Sequence, residues 1–176
     1  MFEKAFATAA CQRALKAIAD GDKSSLAIIY DTMSRQIYSV ALSVLKNHAD
    51  AEDALQNTLC EILRCAQSYK GGNPRSWILS IARNQALIII RKRKNEIPLD
   101  NEDFTDRNSP ENHLIYIDAL SILNENEREA VMLKIYCGCK HKEIAEILGI
   151  SVSASEKLYQ RGIAKLKQYY REESPK

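Results

Sequence analysis

Leu26, Ile29, Tyr30, Met33, Ile37, Ala41 and Leu45 fall at three- and four-residue steps. A half-buried strand would place apolar residues at every second position, so this stripe predicts one long amphipathic helix. His48 and Ala49 interrupt it, and Asp50 is expected to cap a second helix with Glu52 and Asp53 in its first turn, where carboxylates suit the positive end of the helix dipole. The stripe of that helix is Ala51, Leu55, Leu59, Ile62 and Ala66. After Tyr69-Lys70-Gly71-Gly72, Asn73 is an N-cap and Pro74 a first helical residue, because the N–H that proline lacks would be unpaired there anyway. β-Branched residues in ILSIARNQALIII would suit a buried strand, but unbroken helical spacing from Trp77 favours a helix running into Arg91-Lys92-Arg93-Lys94. Trp77 lies on the apolar stripe with Ile81 and is expected in the core.

Composition then shifts. Between Asn95 and Arg128 nine acids face only Arg107 and Arg128, and Pro98 and Pro110 bracket the most polar part, which reads as a linker. Helical pattern resumes around Glu111, and Asn124 with Glu127 forms a capping-box signature ahead of Ala130, Val131, Leu133 and Ile135. The expected fold class is all-α: two small helical domains, residues 1–95 and 116–176, joined by a flexible acidic linker over 96–115.

EIAEILGISVSASEKLYQRG, from Glu143 to Gly162, has the pattern of a helix-turn-helix. Ala145 is the small residue where the helices cross, Gly149 sits in the turn, and Ile144, Leu148, Ile150 and Leu158 face inward; Ser155 occupies a fifth site that is usually apolar. In such a pair the second helix lies in the major groove of DNA. No acid interrupts the run of Lys157, Arg161, Lys165, Lys167 and Arg171, cations that can meet phosphates and release counterions or form a solvated face. A net charge of +2 gives no independent argument for nucleic acid, so distribution must carry it.

The other function classes have little support. Cys137-Gly138-Cys139-Lys140-His141 invites a metal or redox reading, yet a structural zinc site needs about four ligands and no second cluster completes one. Five cysteines without framework spacing fit reduced thiols in a reducing compartment. A Cys–His enzyme lacks an orienting carboxylate motif. Charges at Glu3, Lys4, Arg13 and Lys16 argue against a signal peptide, and the longest apolar run, Ala86 to Ile90, falls far short of the about 20 residues that span a bilayer. A cytoplasmic protein with no metal, no cofactor and no small-molecule substrate is expected.

DAEDALQNTLCEIL followed by SYKGGNPRSWILSIARNQALIIIRKRK resembles the second conserved region of bacterial RNA polymerase sigma factors of the extracytoplasmic-function group, and LNENEREAVMLKIYCGCKHKEIAEILGIS resembles the start of their fourth region. The resemblance runs from about Leu26 to Leu166. It implies a non-catalytic transcription initiation factor whose partners are core RNA polymerase, promoter DNA and, as a candidate, an anti-sigma factor. On that resemblance Asp50, Glu52, Asp53 and Gln56 dock on core polymerase. Ser68, Tyr69, Lys70, Asn73, Arg75, Ser76, Trp77, Arg83, Asn84, Arg91 and Lys92 recognise and melt the -10 element, and Tyr69 is the expected base stacker, since single strands are held by aromatic faces and cations. Lys142, Ser151, Ser153, Ala154, Glu156, Lys157, Gln160, Arg161 and Lys165 contact the -35 element. The chain departs from the family string at Ser155, Glu156 and Leu158, where Val, Lys and Arg are usual, and at Ile88, where an acid is common. At Gly162 an Ala is usual, and the glycine is expected to cost roughly 1 kcal/mol of helix propensity. A helix-turn-helix regulator acting without core polymerase is the alternative; it needs neither the Asp50–Gln56 face nor the Tyr69–Trp77 segment.

Overall fold

In the computed structural model of the chain the described residues are 2–96 and 120–173. All the regular elements among them are helical. The linker assigned to 96–115, apart from Glu96, and the return of helix near Glu111 lie outside the described residues. The chain divides into two units, Met1–Pro98 and Leu99–Lys176. No described helix is long and apolar enough to cross a membrane.

The first unit contains α1 (Phe2–Ala19), α2 (Leu26–Leu45), α3 (His48–Cys65) and α4 (Pro74–Glu96), with single 3-10 turns at Lys23–Ser25 and Ala66–Ser68. α2 is the central element and packs against α1, α3 and α4. It does so through Ile29, Met33, Ile37, Val40, Ala41 and Leu45, all buried. Burying each such aliphatic side chain contributes about 1.5–3 kcal/mol. Tyr30, placed on this stripe by spacing, is instead 49% exposed. α1 closes the unit with Cys11, Ala14, Leu15 and Ile18, a face that the sequence pattern had not singled out.

The start of α3 differs from the expected one. Lys46 ends α2 in the left-handed region at φ 57, and Asn47 is the N-cap, its side chain accepting the Asp50 N–H at 3.0 Å. Asp50 lies in the first turn, not at the cap. The chain needs no separate interruption at His48 and Ala49, because one left-handed residue already turns it. The inward face of α3 is Ala51, Ala54, Thr58 and Ile62, while Leu55 and Leu59 are half-buried. Small residues let α2 and α3 approach closely, and the Thr58 hydroxyl satisfies itself by donating to the Ala54 carbonyl at 2.6 Å.

Gly71 and Gly72, at φ 98 and 94, make the turn into α4, a conformation few other residues adopt. Asn73 then caps α4 as expected, accepting the Arg75 N–H at 3.0 Å. The helix is continuous through ILSIARNQALIII, so the strand reading fails there. Trp77 is not in the core: Pro74, Ser76, Ile78, Leu79, Ala82 and Ala86 are buried, and Trp77 is half-buried at the edge.

The second unit contains α5 (Glu125–Val131), a π-turn at Met132–Tyr136, α6 (His141–Leu148) and α7 (Val152–Glu173). The Asn124–Glu127 capping box is present in both directions. Gly149 caps α6 in the left-handed conformation at φ 69, as the turn pattern requires. Leu120, Leu123 and Val131 form a core against Met132, Tyr159, Ile163 and Leu166. Buried Arg128 donates from Nε to the Leu120 carbonyl at 3.1 Å and from Nη2 to the Leu123 carbonyl at 2.8 Å, tying the segment before α5 to it.

Two buried features lock α7 onto α5. Gly162 is buried, and a Cβ there would stand 2.6 Å from Val131 Cγ2. The glycine is therefore a contact point between helices; the expectation that it merely weakens α7 omitted this packing. Lys165 Nζ lies 2.7 Å from Glu127 Oε2, a carboxylate whose side chain is 4% exposed. Burial pushes the Glu127 carboxyl up, but the Lys165 bond, the Asn124 N–H and the charges of Lys165 and Arg161 outweigh it and hold it below the usual range.

A depressed folded-state value means that folding favours the charged form. Its stabilisation is complete above the ordinary glutamate range, about pH 4.3, and is lost as pH falls through the lower folded value. Acidification from about pH 5 to about pH 3 is therefore expected to lower the melting temperature of the native chain more than that of Glu127→Gln, followed by circular dichroism. Equal acid sensitivity in the two would remove Glu127 from this role.

Candidate nucleic-acid interface

In the first unit the expected docking residues divide. Glu52, Asp53 and Gln56 are exposed on one face at the start of α3. Asp50 is 9% exposed and turned toward α4, where Arg93 Nη2 sits 2.7 Å from each of its carboxylate oxygens. Burial raises the Asp50 carboxyl, and the Arg93 charge only partly lowers it again. Asp50 thus joins the start of α3 to the basic end of α4, and three outward groups form the acidic, polar face.

The residues expected to hold a single strand are also sorted. Tyr69 and Trp77 stand together, ring centroids 5.4 Å apart and tilted by 58°. The Tyr69 hydroxyl donates to the Gly72 carbonyl at 2.8 Å, so the turn fixes the ring, and burial pushes the phenol up. Seven-residue steps along α4 put Trp77, Asn84 and Arg91 on one face, with exposed Ile88 between them and Lys92 at its border. Lys70 is exposed beside Tyr69.

Other members are turned elsewhere. Arg75 is half-buried on the opposite side of α4, its charge reaching the buried Cys11 thiol, which desolvation raises overall. Ser76 is 5% exposed and belongs to the interior. Ser68 donates to the Cys65 carbonyl at 2.7 Å, Asn73 is occupied as a cap, and Arg83 is half-buried off the Trp77 face. Aromatic edge, polar side chain and cation in line are what single-stranded DNA needs for stacking, base edges and backbone.

In the second unit Ser151 caps α7, its hydroxyl accepting the Ala154 N–H at 3.1 Å. Ser153, Glu156, Lys157 and Gln160 are exposed on one face, with Arg161 at its border and Ala154 half-buried. Lys142 is exposed on α6. Lys165 points to Glu127 instead, one side of α7 away. Glu156 is therefore on the outward face, between the groups that would meet DNA.

Ser155 explains its own departure from pattern. It is fully buried, and His141 Nδ1 stands 3.1 Å from its Oγ, with the His141 ring edge-on to Tyr159 at 5.6 Å. A polar pair replaces an apolar contact where α6 crosses α7. Ile147, buried, faces inward in place of half-buried Leu148. Cys137 and Cys139 are buried, and among the described residues no three His, Cys, Asp or Glu groups gather as metal ligands would.

Two helical units, one with an aromatic pair at the start of a helix whose far end is basic and the other with a helix-turn-helix, define an all-α nucleic-acid-binding protein. Residues 29–96 match the family model "Sigma-70 region 2" and residues 113–166 match "Sigma-70, region 4". The chain belongs to the sigma-70 family of RNA polymerase sigma factors, in its extracytoplasmic-function group. It is 25% identical over 169 residues to the ECF RNA polymerase sigma factor SigK of Mycobacterium sp. (strain KMS), covering 87% of this chain and 86% of that protein. To the ECF RNA polymerase sigma factor SigM of Bacillus subtilis (strain 168) it is 27% identical over 151 residues, 81% of this chain and 93% of the other. In fold it is similar to the sigma factor RpoE solved with the anti-sigma factor NepR from Bartonella quintana, with TM-score 0.69 and 22% identity over 82% of this chain and 96% of that one.

Proposed function

We propose that the chain docks on core RNA polymerase through Glu52, Asp53 and Gln56, melts and holds the non-template strand of a -10 element with its first unit, and grips a -35 element with its second. The strand lies along Tyr69, Trp77, Asn84 and Arg91, with Lys70 and Lys92 on its phosphates. Ser153, Glu156, Lys157, Gln160 and Arg161 of α7, with Lys142, face the duplex. An anti-sigma factor is the regulatory partner, supported by the fold's likeness to a sigma factor solved with one. The site of action is the cytoplasm, where polymerase works.

The observation that carries the proposal is the paired Tyr69 and Trp77 rings at the edge of a face leading to Arg91, an arrangement that a duplex-binding regulator has no use for. The test is transcription with purified chain and core polymerase on fragments of the native genome. Discrete promoter-dependent transcripts are expected. Tight duplex binding by the chain alone, with core enzyme ignored, would favour the polymerase-independent regulator.

Glu156 gives a separate check. A carboxylate on the outward face can accept from a cytosine amino group but repels phosphate. Glu156→Lys is expected to tighten binding to duplex of any sequence and to steepen its log–log salt dependence by about 0.9 for each added phosphate contact, measured by fluorescence anisotropy across a salt series. An unchanged slope would place this side chain away from the groove.

A further inference from the structure

α1 precedes the residues matched by the region 2 model and has no part in the docking or strand-holding set above. One face is spent on the core. The opposite face, carrying exposed Gln12, Arg13 and Lys16 at helical spacing, forms one wall of an open groove of ≈ 640 Å³. Ala9 and Ala19 give it accessible apolar surface, Leu15 and Ala66 of the 3-10 turn lie buried behind it, and Tyr69 is its rim. No acid is among the described groups that line it. The volume lies within the about 300–1,000 Å³ of small-ligand clefts.

Three properties coincide. The accessible apolar surface is alanine, small enough to leave room for the flat face of a base; the wall offers two long cations and an amide, suited to phosphate and base edge; and the rim is the same tyrosine that belongs to the aromatic pair. A strand passing over Tyr69 therefore has a second surface waiting on the far side of that ring. We propose that this groove binds the stretch of melted non-template strand adjoining the stretch held by Tyr69 and Trp77, with a nucleobase against the groove side of Tyr69 and backbone phosphates on Arg13 and Lys16. The inference rests on the strand-holding role proposed above and lengthens its path onto α1.

The experiment uses holoenzyme, the full chain assembled on core polymerase, and a fork-junction fragment from a promoter that it transcribes, bearing a single-stranded non-template extension. Arg13→Glu with Lys16→Glu, both exposed positions, is expected to weaken fork binding about tenfold and to flatten its log–log salt dependence by about 1.4, about 0.7 for each single-strand phosphate. Binding to a fully duplex upstream fragment should not change. A photocrosslinker replacing Gln12 should label the non-template extension. If the native holoenzyme fails to hold the fork, both this inference and the strand-holding role are overturned. If it holds the fork, but the double substitution leaves affinity and salt slope unchanged or the crosslinker labels a polymerase subunit, the groove proposal alone falls, and in the latter case the groove is a protein-docking surface.

Discussion

Gly162→Leu is expected to destabilise the second unit by about 3 kcal/mol, and Gly162→Ala by about 1 kcal/mol. The alanine has two opposed effects. It gains about 1 kcal/mol of helix propensity over glycine. Its Cβ, however, would stand 2.6 Å from Val131 Cγ2 and 3.5 Å from the Glu127 carbonyl oxygen. Valine is stiff about χ1, and Val131 is 3% exposed, so it cannot swing aside. Overpacking of this kind costs about 1–3 kcal/mol and outweighs the propensity gain. Leucine adds three more carbons in the same place. For a unit of this size each kcal/mol lowers the melting temperature by about 4–8 °C, so the leucine variant should lose its second transition well before the native chain does, and duplex binding with it. A double-mutant cycle with Val131→Ala makes the cause visible, since the two alanines should be coupled by about 1 kcal/mol. Strict additivity would show that the close approach is not what Gly162 is for.

Loss of both rings is the largest expected effect on function. Each base stacked on an aromatic side chain contributes about 1–3 kcal/mol, about 5- to 150-fold in an equilibrium. Tyr69→Ala with Trp77→Ala should therefore reduce open-promoter formation by about 100-fold or more, while binding to core polymerase stays as it was. The single variants should differ. Trp77 braces Tyr69 from one side and the Gly72 carbonyl holds its hydroxyl, so Trp77→Ala releases the tyrosine as well as removing a ring. Tyr69→Phe keeps the ring and loses only the tether; a loss of no more than about threefold is expected, one weak exposed hydrogen bond. Permanganate footprinting of unpaired thymines reads each case. Native opening by the double variant would remove the aromatic pair from strand holding.

What could be read from residue order was whatever depends on local spacing. The helices α2 to α7, the Asn73 and Asn124 caps and the Gly149 turn follow from patterns a few residues long, and each is present. α1 was not read, and the return of helix near Glu111 lies outside the described residues. The face that a helix turns inward is harder. On α3 small residues at Ala51, Ala54 and Thr58 pack where larger Leu55 and Leu59 looked the better core, because close helix approach selects size as well as polarity. Trp77 was displaced from the interior by Ile78 and Leu79, its immediate neighbours in a helix whose apolar residues nearly encircle it. Partners distant in sequence left no local trace. Asp50 with Arg93, Glu127 with Lys165 and His141 with Ser155 are pairs 43, 38 and 14 residues apart. Of the residues assigned from family likeness, those that the fold turned inward, Asp50 and Ser76 above all, carry the right chemistry in a place where packing claims it first.

The Asp50–Arg93 bond has a practical corollary for anyone dissecting this molecule by alanine scanning. Truncating Asp50 removes a carboxylate from beneath the acidic face and at once sets a guanidinium loose beside Arg91 and Lys92, so a defect in transcription would mix a polymerase phenotype with a promoter phenotype. Glu52, exposed on the same face, gives the cleaner readout, since the Asp53 charge acts on Asp50. An Asp50→Ala, Arg93→Ala pair, compared with each single change, would tell how much of the Asp50 defect is borrowed from its neighbour.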